Sequence, residues 1–299
     1  MARPSKRKKS HSNAGSRTKK VKKRTAKTKG RAREEPEWIK TGIPGFDELF
    51  EKGIPRSTNV LVSGGPGTGK TIFCLQTLYN MARNGHDCLY VTFEESPSKL
   101  KHHMENFGWI PTKVEGGGTQ FKMDIERSGK SGSFIIRKLD PFKISRSVEA
   151  LLAKAAGQLR IDVEGIPELF PKGFKPYMIA LDSVSALESA FIGKPESYRI
   201  YIEQLFRLFE EIGANTLLIT ETEEGATTWS RTGVEEFLAD GVFVLYNFKF
   251  EYNRVQAIEI LKMRGAKHEK KIIPMKITDR GIIVYPSEKI YEYKGEAAR

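Results

Sequence analysis

The chain has 299 residues but only two cysteines, Cys74 and Cys88, and neither belongs to a CxxC pair or a cluster of metal-ligand residues. This excludes a disulfide scaffold and a thiolate metal site, and it predicts two buried thiols in a reducing compartment, the cytoplasm. Long apolar runs are missing too. Nothing approaches the roughly 18–20 residues that span a bilayer, and the polar N-terminus has no signal-peptide core, so the sequence predicts a soluble protein with no membrane partner. Acidic groups are absent from one region in particular. Residues 1–33 hold fifteen Lys/Arg, no Asp or Glu, and one large aliphatic side chain after Met1, Val21. The formal charge of +13 therefore belongs to this arm, since the remaining 266 residues carry 35 basic and 37 acidic groups. A segment so poor in apolar surface cannot offset its chain entropy, which predicts a disordered arm over residues 1–36. Its cations suit a salt-dependent contact with nucleic acid or another polyanion through residues 1–33; the competing reading is a solubilising extension. No base-reading residues accompany the charge, so such binding would be insensitive to sequence.

The folded body, residues 37–287, has the pattern of an α/β protein. Asn59–Ser63 reads as a short buried strand. Gly64-Gly65-Pro66-Gly67-Thr68-Gly69-Lys70-Thr71 follows and matches GxxxxGK[ST] at every fixed position. Ile72, Leu75, Leu78 and Tyr79 then recur at helical spacing until Gly85. Strand, glycine loop and helix together form a phosphate cradle. The glycines let backbone N–H groups turn inward, and the helix start adds free N–H groups and the positive end of its dipole. Lys70 supplies a charge to the β/γ-phosphates of ATP, and Thr71 a hydroxyl for Mg2+.

Two further strands end in carboxylates. Cys88–Phe93 runs into Glu94-Glu95, where a carboxylate can orient a water or take its proton; the competing reading is a solvated pair opening the helix at Ser96-Pro97. Tyr177–Leu181 runs into Asp182, in the form of a Walker B site whose aspartate holds Mg2+ directly or through water. Thr216–Thr220 and Val242–Tyr246 add two buried strands. Tyr198, Ile202, Leu205, Phe209 and Ile212 mark a helix ending before Gly213. Strands alternating with helices imply a mainly parallel sheet covered on both faces.

In Val255–Arg264, strict alternation would put Ile258, Ile260, Lys262 and Arg264 on one face, two cations spaced to address one triphosphate. Pro274 predicts that the strand Lys271–Thr278 lies at an edge. The glycines at 116–118 and 129–132 read as flexible loops. His102 and His103 lack partners at ligand spacing and read as solvated helix residues. Residues 288–299 read as a short polar tail.

The body resembles the KaiC-type domain, within the wider RecA/RadA recombinase-like ATPases. The likeness begins at Thr41–Leu49 and Gly53–Arg56 and passes through the phosphate loop, VTFEES at 91–96 and ALDSVSAL at 180–187. It ends in GVEEFLADGV at 233–242 and KMRG at 262–265, with His268 nearby. The resemblance implies a RecA-like P-loop NTPase core with a C-terminal β extension. It also implies that Glu94 and Glu95 are the catalytic acidic pair, that Asp182 is the Walker B aspartate, and that the activity is hydrolysis of ATP with Mg2+. Lys262 and Arg264 match residues that reach the γ-phosphate bound by a neighbouring subunit, in homohexameric rings with ATP at each interface. The function so implied is a ring whose nucleotide state switches conformation or partner binding. The alternative is a recombinase-paralogue ATPase that binds DNA, and the stretch 221–233 resembles the pore-facing loop of the superfamily, where Trp229 and Arg231 would stack on and attract nucleic acid; the competing reading is a purely structural loop, since Glu221, Glu223 and Glu224 would repel phosphate. Clock members autophosphorylate on adjacent Ser/Thr residues; here the corresponding Val234–Leu238 has no hydroxyl, which counts against autokinase activity at that place.

Overall fold

The structure, a computed structural model, describes residues 37–154, 169–222, 228–230, 232–250 and 253–290. The basic arm, residues 155–168, Arg231, and residues 291–299 of the expected tail lie outside the described residues. The chain divides into Met1–Glu35 and Pro36–Arg299, and all that follows concerns the second unit.

A short antiparallel pair, β1 (Trp38–Ile39) with β2 (Ile54–Pro55), precedes the main sheet. The main sheet's strands are β3 (Asn59–Gly64), β4 (Cys88–Thr92), β5 (Lys113–Gly117), β6 (Gln120–Arg127), β7 (Lys130–Lys138), β8 (Met178–Asp182), β9 (Asn215–Glu221), β10 (Gly241–Phe250), β11 (Asn253–Met263), β12 (Ile272–Thr278) and β13 (Gly281–Val284). Among the described residues they form one 11-stranded sheet in the order β13-β12-β11-β10-β3-β9-β8-β4-β7-β6-β5. From β10 to β7 every neighbour is parallel, and both flanks are antiparallel.

Burial explains the centre. The inner strands are buried along their whole length, the continuous apolar pattern of a sheet covered on both faces. Alternate residues feed two cores. Val60, Val62, Met178, Ala180, Leu217 and Ile219 face α1 (Lys70–Arg83) and α2 (Pro97–Asn106). Leu61, Ile179, Leu181 and Leu218 face the layer of α3 (Pro141–Lys154), α4 (Val184–Ser189) and α5 (Pro195–Ile212). Local signals set the helix ends. Ser96 caps α2 by accepting from the Lys99 N–H, with Pro97 in the first turn, and α5 opens at Pro195 and closes at Gly213 in the left-handed conformation.

Three expectations change. The glycines at 116–118 and 129–132 are not in flexible loops: β5, β6 and β7 form an antiparallel meander, and β7 joins the central sheet beside β4. Second, β12 is not an edge strand, since it pairs with both β11 and β13. Pro274 sits one residue beyond the last β12–β13 pair, Met275 with Val284, where no ladder donor is needed; its carbonyl accepts from Tyr285 N. Third, the alternation along β11 breaks. Val242 pairs with Lys262 but Phe243 pairs with Ile260, leaving Leu261 as the extra residue of a β-bulge. Lys262 therefore lies on the face of Val242, opposite Ile258 and Ile260, which pack in the α1 core.

Candidate functional site

The phosphate loop bridges the carboxyl end of β3 and the start of α1, at the sheet edge where open α/β folds bind ligands. Gly69 precedes α1 at φ +98°, a conformation that a side chain would strain. Thr68 is buried, and its hydroxyl donates to Gly65 O at 2.9 Å. Lys70 is 8% exposed, and its ammonium donates to Gly64 O and Gly65 O, both at 2.8 Å, so it braces the loop from inside. Burial holds its pKa below the ordinary lysine value, opposed by the nearby carboxylates of Glu221, Asp182 and Glu94.

Around Lys70 the strands deliver their polar ends. Asp182, at the end of β8, is 8% exposed, and its Oδ2 accepts from Thr71 Oγ1 at 3.0 Å and from the Tyr90 hydroxyl at 2.5 Å. Burial raises its pKa; the two hydroxyl donors oppose that, and Glu94 and Glu95 add to it. Glu94 is exposed just past β4, and its Oε1 accepts from Ser183 Oγ at 2.7 Å, while its main-chain carbonyl accepts from Lys138 Nζ at 2.7 Å. Glu95 points elsewhere, with Oε2 3.9 Å from His103 Nδ1 on α2.

Tyr90, Ser183, Lys138 and Glu221 were missed by the sequence reading. Tyr90 carried a weak signal, a hydroxyl two residues before the end of an otherwise apolar strand. Lys138 carried none, because β7 was not recognised as a neighbour of β4.

The cations of β11 are not brought to this cluster. Val242 pairs with Leu61 on one side and Lys262 on the other, whereas Gly64 pairs with Leu245. Lys262 thus lies three strand residues, roughly 10 Å, from the row of Gly64, towards the other end of the sheet, and Arg264 follows beyond it. Both hold the end of α6 (Val234–Leu238). Lys262 Nζ donates to Glu236 O at 3.0 Å and Ala239 O at 2.7 Å, and Arg264 Nη2 donates to Phe237 O at 2.9 Å. Burial lowers the Lys262 pKa, and the Arg264 charge adds to that. Phe237, whose carbonyl Arg264 holds, is 76% exposed.

Trp229 is half-buried, packed against the core on the α5 side with its ring edge-on to Tyr246 at 6.2 Å. Cys74 and Cys88 are free and buried, and burial pushes both thiols well up. Among the described residues no three His, Cys, Asp or Glu side chains converge as a metal cage, and no helix is long and apolar enough to cross a membrane. One carboxylate and one hydroxyl, Asp182 and Thr71, nevertheless fit Mg2+, which keeps several waters and takes its other ligands from phosphate.

A phosphate loop, a Walker-type aspartate and a parallel sheet flanked by helices define a P-loop ATPase of the RecA-like class. A family model described as "ATPase: KaiC" matches residues 39–289, and the chain belongs to that family of KaiC-like ATPases. It is 33% identical over 255 residues to a "UPF0273 protein" of Thermotoga maritima, covering 84% of this chain and 96% of that one. To the circadian clock oscillator protein KaiC of Synechococcus elongatus it is 31% identical over 252 residues, covering 83% of this chain and 44% of that one. The crystal structure of a KaiC-like protein from Pyrococcus horikoshii superposes with a TM-score of 0.60 at 28% identity, covering 84% of this chain and all of that one.

Proposed function

We propose that the chain is a Mg2+-dependent ATPase working as a homo-oligomer, a hexameric ring with ATP between neighbouring copies, whose nucleotide state switches conformation or partner binding in the cytoplasm. The observation that carries this reading is the chain of contacts Thr71–Asp182 and Ser183–Glu94, which gathers a metal ligand pair and a carboxylate beside the phosphate loop.

The backbone N–H groups of Gly65 and of residues 67–70 receive the phosphates, Pro66 having none to offer. Lys70 exchanges Gly64 O and Gly65 O for phosphate oxygens, whose negative charge would offset the burial that lowers its pKa. Thr71 and Asp182 would hold Mg2+, which neutralises charge on the β/γ oxygens. Glu94 is the base: Ser183 fixes one carboxylate oxygen and leaves the other to take a proton from the attacking water as its oxygen bonds to the terminal phosphorus and the bond from that phosphorus to the bridging oxygen breaks, releasing ADP. Glu95, turned towards His103, contributes to the acidic pair through its charge rather than a contact in the cluster. Lys262 and Arg264 act in trans on the neighbouring copy's triphosphate, because within one chain they sit towards the opposite end of the sheet. Residues 1–33 add a non-specific polyanion contact.

The test is Glu94→Gln, which keeps size and hydrogen bonding but cannot accept the proton. We expect kcat for Mg2+-ATP to fall roughly 100-fold with ATP affinity, measured by titration calorimetry, unchanged. A wild-type rate would remove Glu94 from the role of base.

A further inference from the structure

Trp229 and Glu236 have no part in the chemistry above, yet they lie on a continuous route between the two ends of the sheet. Ser63, the residue before Gly64, donates from its hydroxyl to the Trp229 carbonyl at 2.7 Å. The Trp229 N–H donates to Glu236 Oε2 at 2.6 Å, a charge-assisted bond. The main-chain carbonyls of Glu236 and the next residue then accept from Lys262 Nζ and Arg264 Nη2. Glu235, by contrast, anchors α6 to the body, accepting from Tyr198 on α5 and from Thr232. The two neighbouring carboxylates thus do different work: one fixes α6, the other connects it to the strand that carries the phosphate loop.

The route begins at an element with two arrangements. Lys70 bonds the loop carbonyls, Gly64 O among them, and on the reading given above it releases them for phosphate; Gly64 is covalently next to Ser63.

We propose that Glu236 is a positioning residue: through Trp229 and Ser63 it makes the placement of Lys262 and Arg264, presented to the next copy, depend on the state of the chain's own phosphate loop. This rests on the trans reading given above. Adjacent sites in the assembly would then be coupled, each loop setting the cations offered to its neighbour.

The experiment compares full-length wild type, Glu236→Ala, Glu236→Gln and Arg264→Ala, with assembly checked by analytical ultracentrifugation. Wild type should hydrolyse ATP with a Hill coefficient above 1. Glu236→Ala should lose roughly five- to tenfold in kcat and show a Hill coefficient near 1, with its affinity for ATPγS unchanged. Glu236→Gln, whose amide carbonyl still accepts from Trp229 N, should keep most of the rate and the cooperativity. ATPγS should also change the emission of Trp229, identified as the signal lost in Trp229→Phe, and Ser63→Ala should abolish that change without abolishing binding. Wild-type rate and cooperativity in Glu236→Ala, beside an impaired Arg264→Ala, would overturn the proposal alone. Glu236→Gln as impaired as Glu236→Ala would also overturn it, since the hydrogen bond would not be the link. An unimpaired Arg264→Ala would refute the trans reading and this inference with it.

Discussion

Asp182 is where folding and function pull against each other. Its carboxylate is buried at the end of β8 and satisfied on one oxygen by Thr71 and Tyr90, and burial still holds its pKa above the ordinary value. An acid whose pKa is raised by folding resists ionisation in the folded state. Relative to a neutral side chain it costs stability as pH rises through that raised pKa, and the cost disappears once acid protonates it in both states. Asp182→Asn should therefore raise the nucleotide-free melting temperature by about 2 °C near neutral pH, with the gap closing in acid, while the stabilisation that Mg2+-ATP gives wild type is lost. A lower melting temperature at neutral pH would show that the charge is offset in the folded protein. At this scale most of the site was legible. Lys70, Thr71 and Asp182 sit in local patterns, a glycine loop or an apolar run ending in a carboxylate, and such patterns need no knowledge of distant partners. Tyr90 and Ser183 were illegible in their roles, since their hydroxyls reach Asp182 and Glu94 only after β4 and β8 have been placed side by side.

At the scale of elements, legibility followed the range of the interaction that fixes each one. The strands β3, β4, β8 and β9 are short apolar runs between turn signals, and they form where the pattern puts them. The meander β5–β7 was misread because its strands are rich in glycine and charge. β5 is exposed throughout, so its sequence bears no mark of burial. What holds the meander is tertiary. β7 runs beside β4, and at Gly132 it passes so close to the end of α1 that an added Cβ would stand 2.5 Å from His86 O and 2.6 Å from Ala82 O. These are backbone atoms and cannot yield as a flexible side chain would. Gly132→Ala should destabilise the protein by about 1–3 kcal/mol, seen as a melting temperature several degrees lower, with the ATP affinity of the folded fraction intact. A neutral substitution would mean that β7 is not docked against α1. The bulge at Leu261 was hidden for a related reason: one strand's alternation cannot reveal an extra residue until its partner's register is known. The displaced register takes Lys262 off the face that packs against α1 and puts it on the face of Val242, against the end of α6.

For the whole molecule, the arrangement separates what a hydrolysis site needs. The glycine loop, the Thr71–Asp182 pair and Glu94 lie at the carboxyl ends of the parallel strands, while Lys262 and Arg264 lie towards the other end beside the exposed Phe237. Within one chain the β10–β11 ladder holds the two apart, which is what favours the proposed action of the cations on a neighbouring copy. Family membership makes an ATPase of the chain, and this geometry makes a shared site the central claim. The most direct measurement is hydrolysis by assemblies that mix Lys70→Ala with Arg264→Ala subunits, each nearly inactive alone, with co-assembly verified by differential tagging. The account predicts recovered turnover, because wherever an Arg264→Ala subunit's intact loop meets a Lys70→Ala subunit's intact cations, one complete site is rebuilt. Mixed assemblies as inactive as either parent would contradict it.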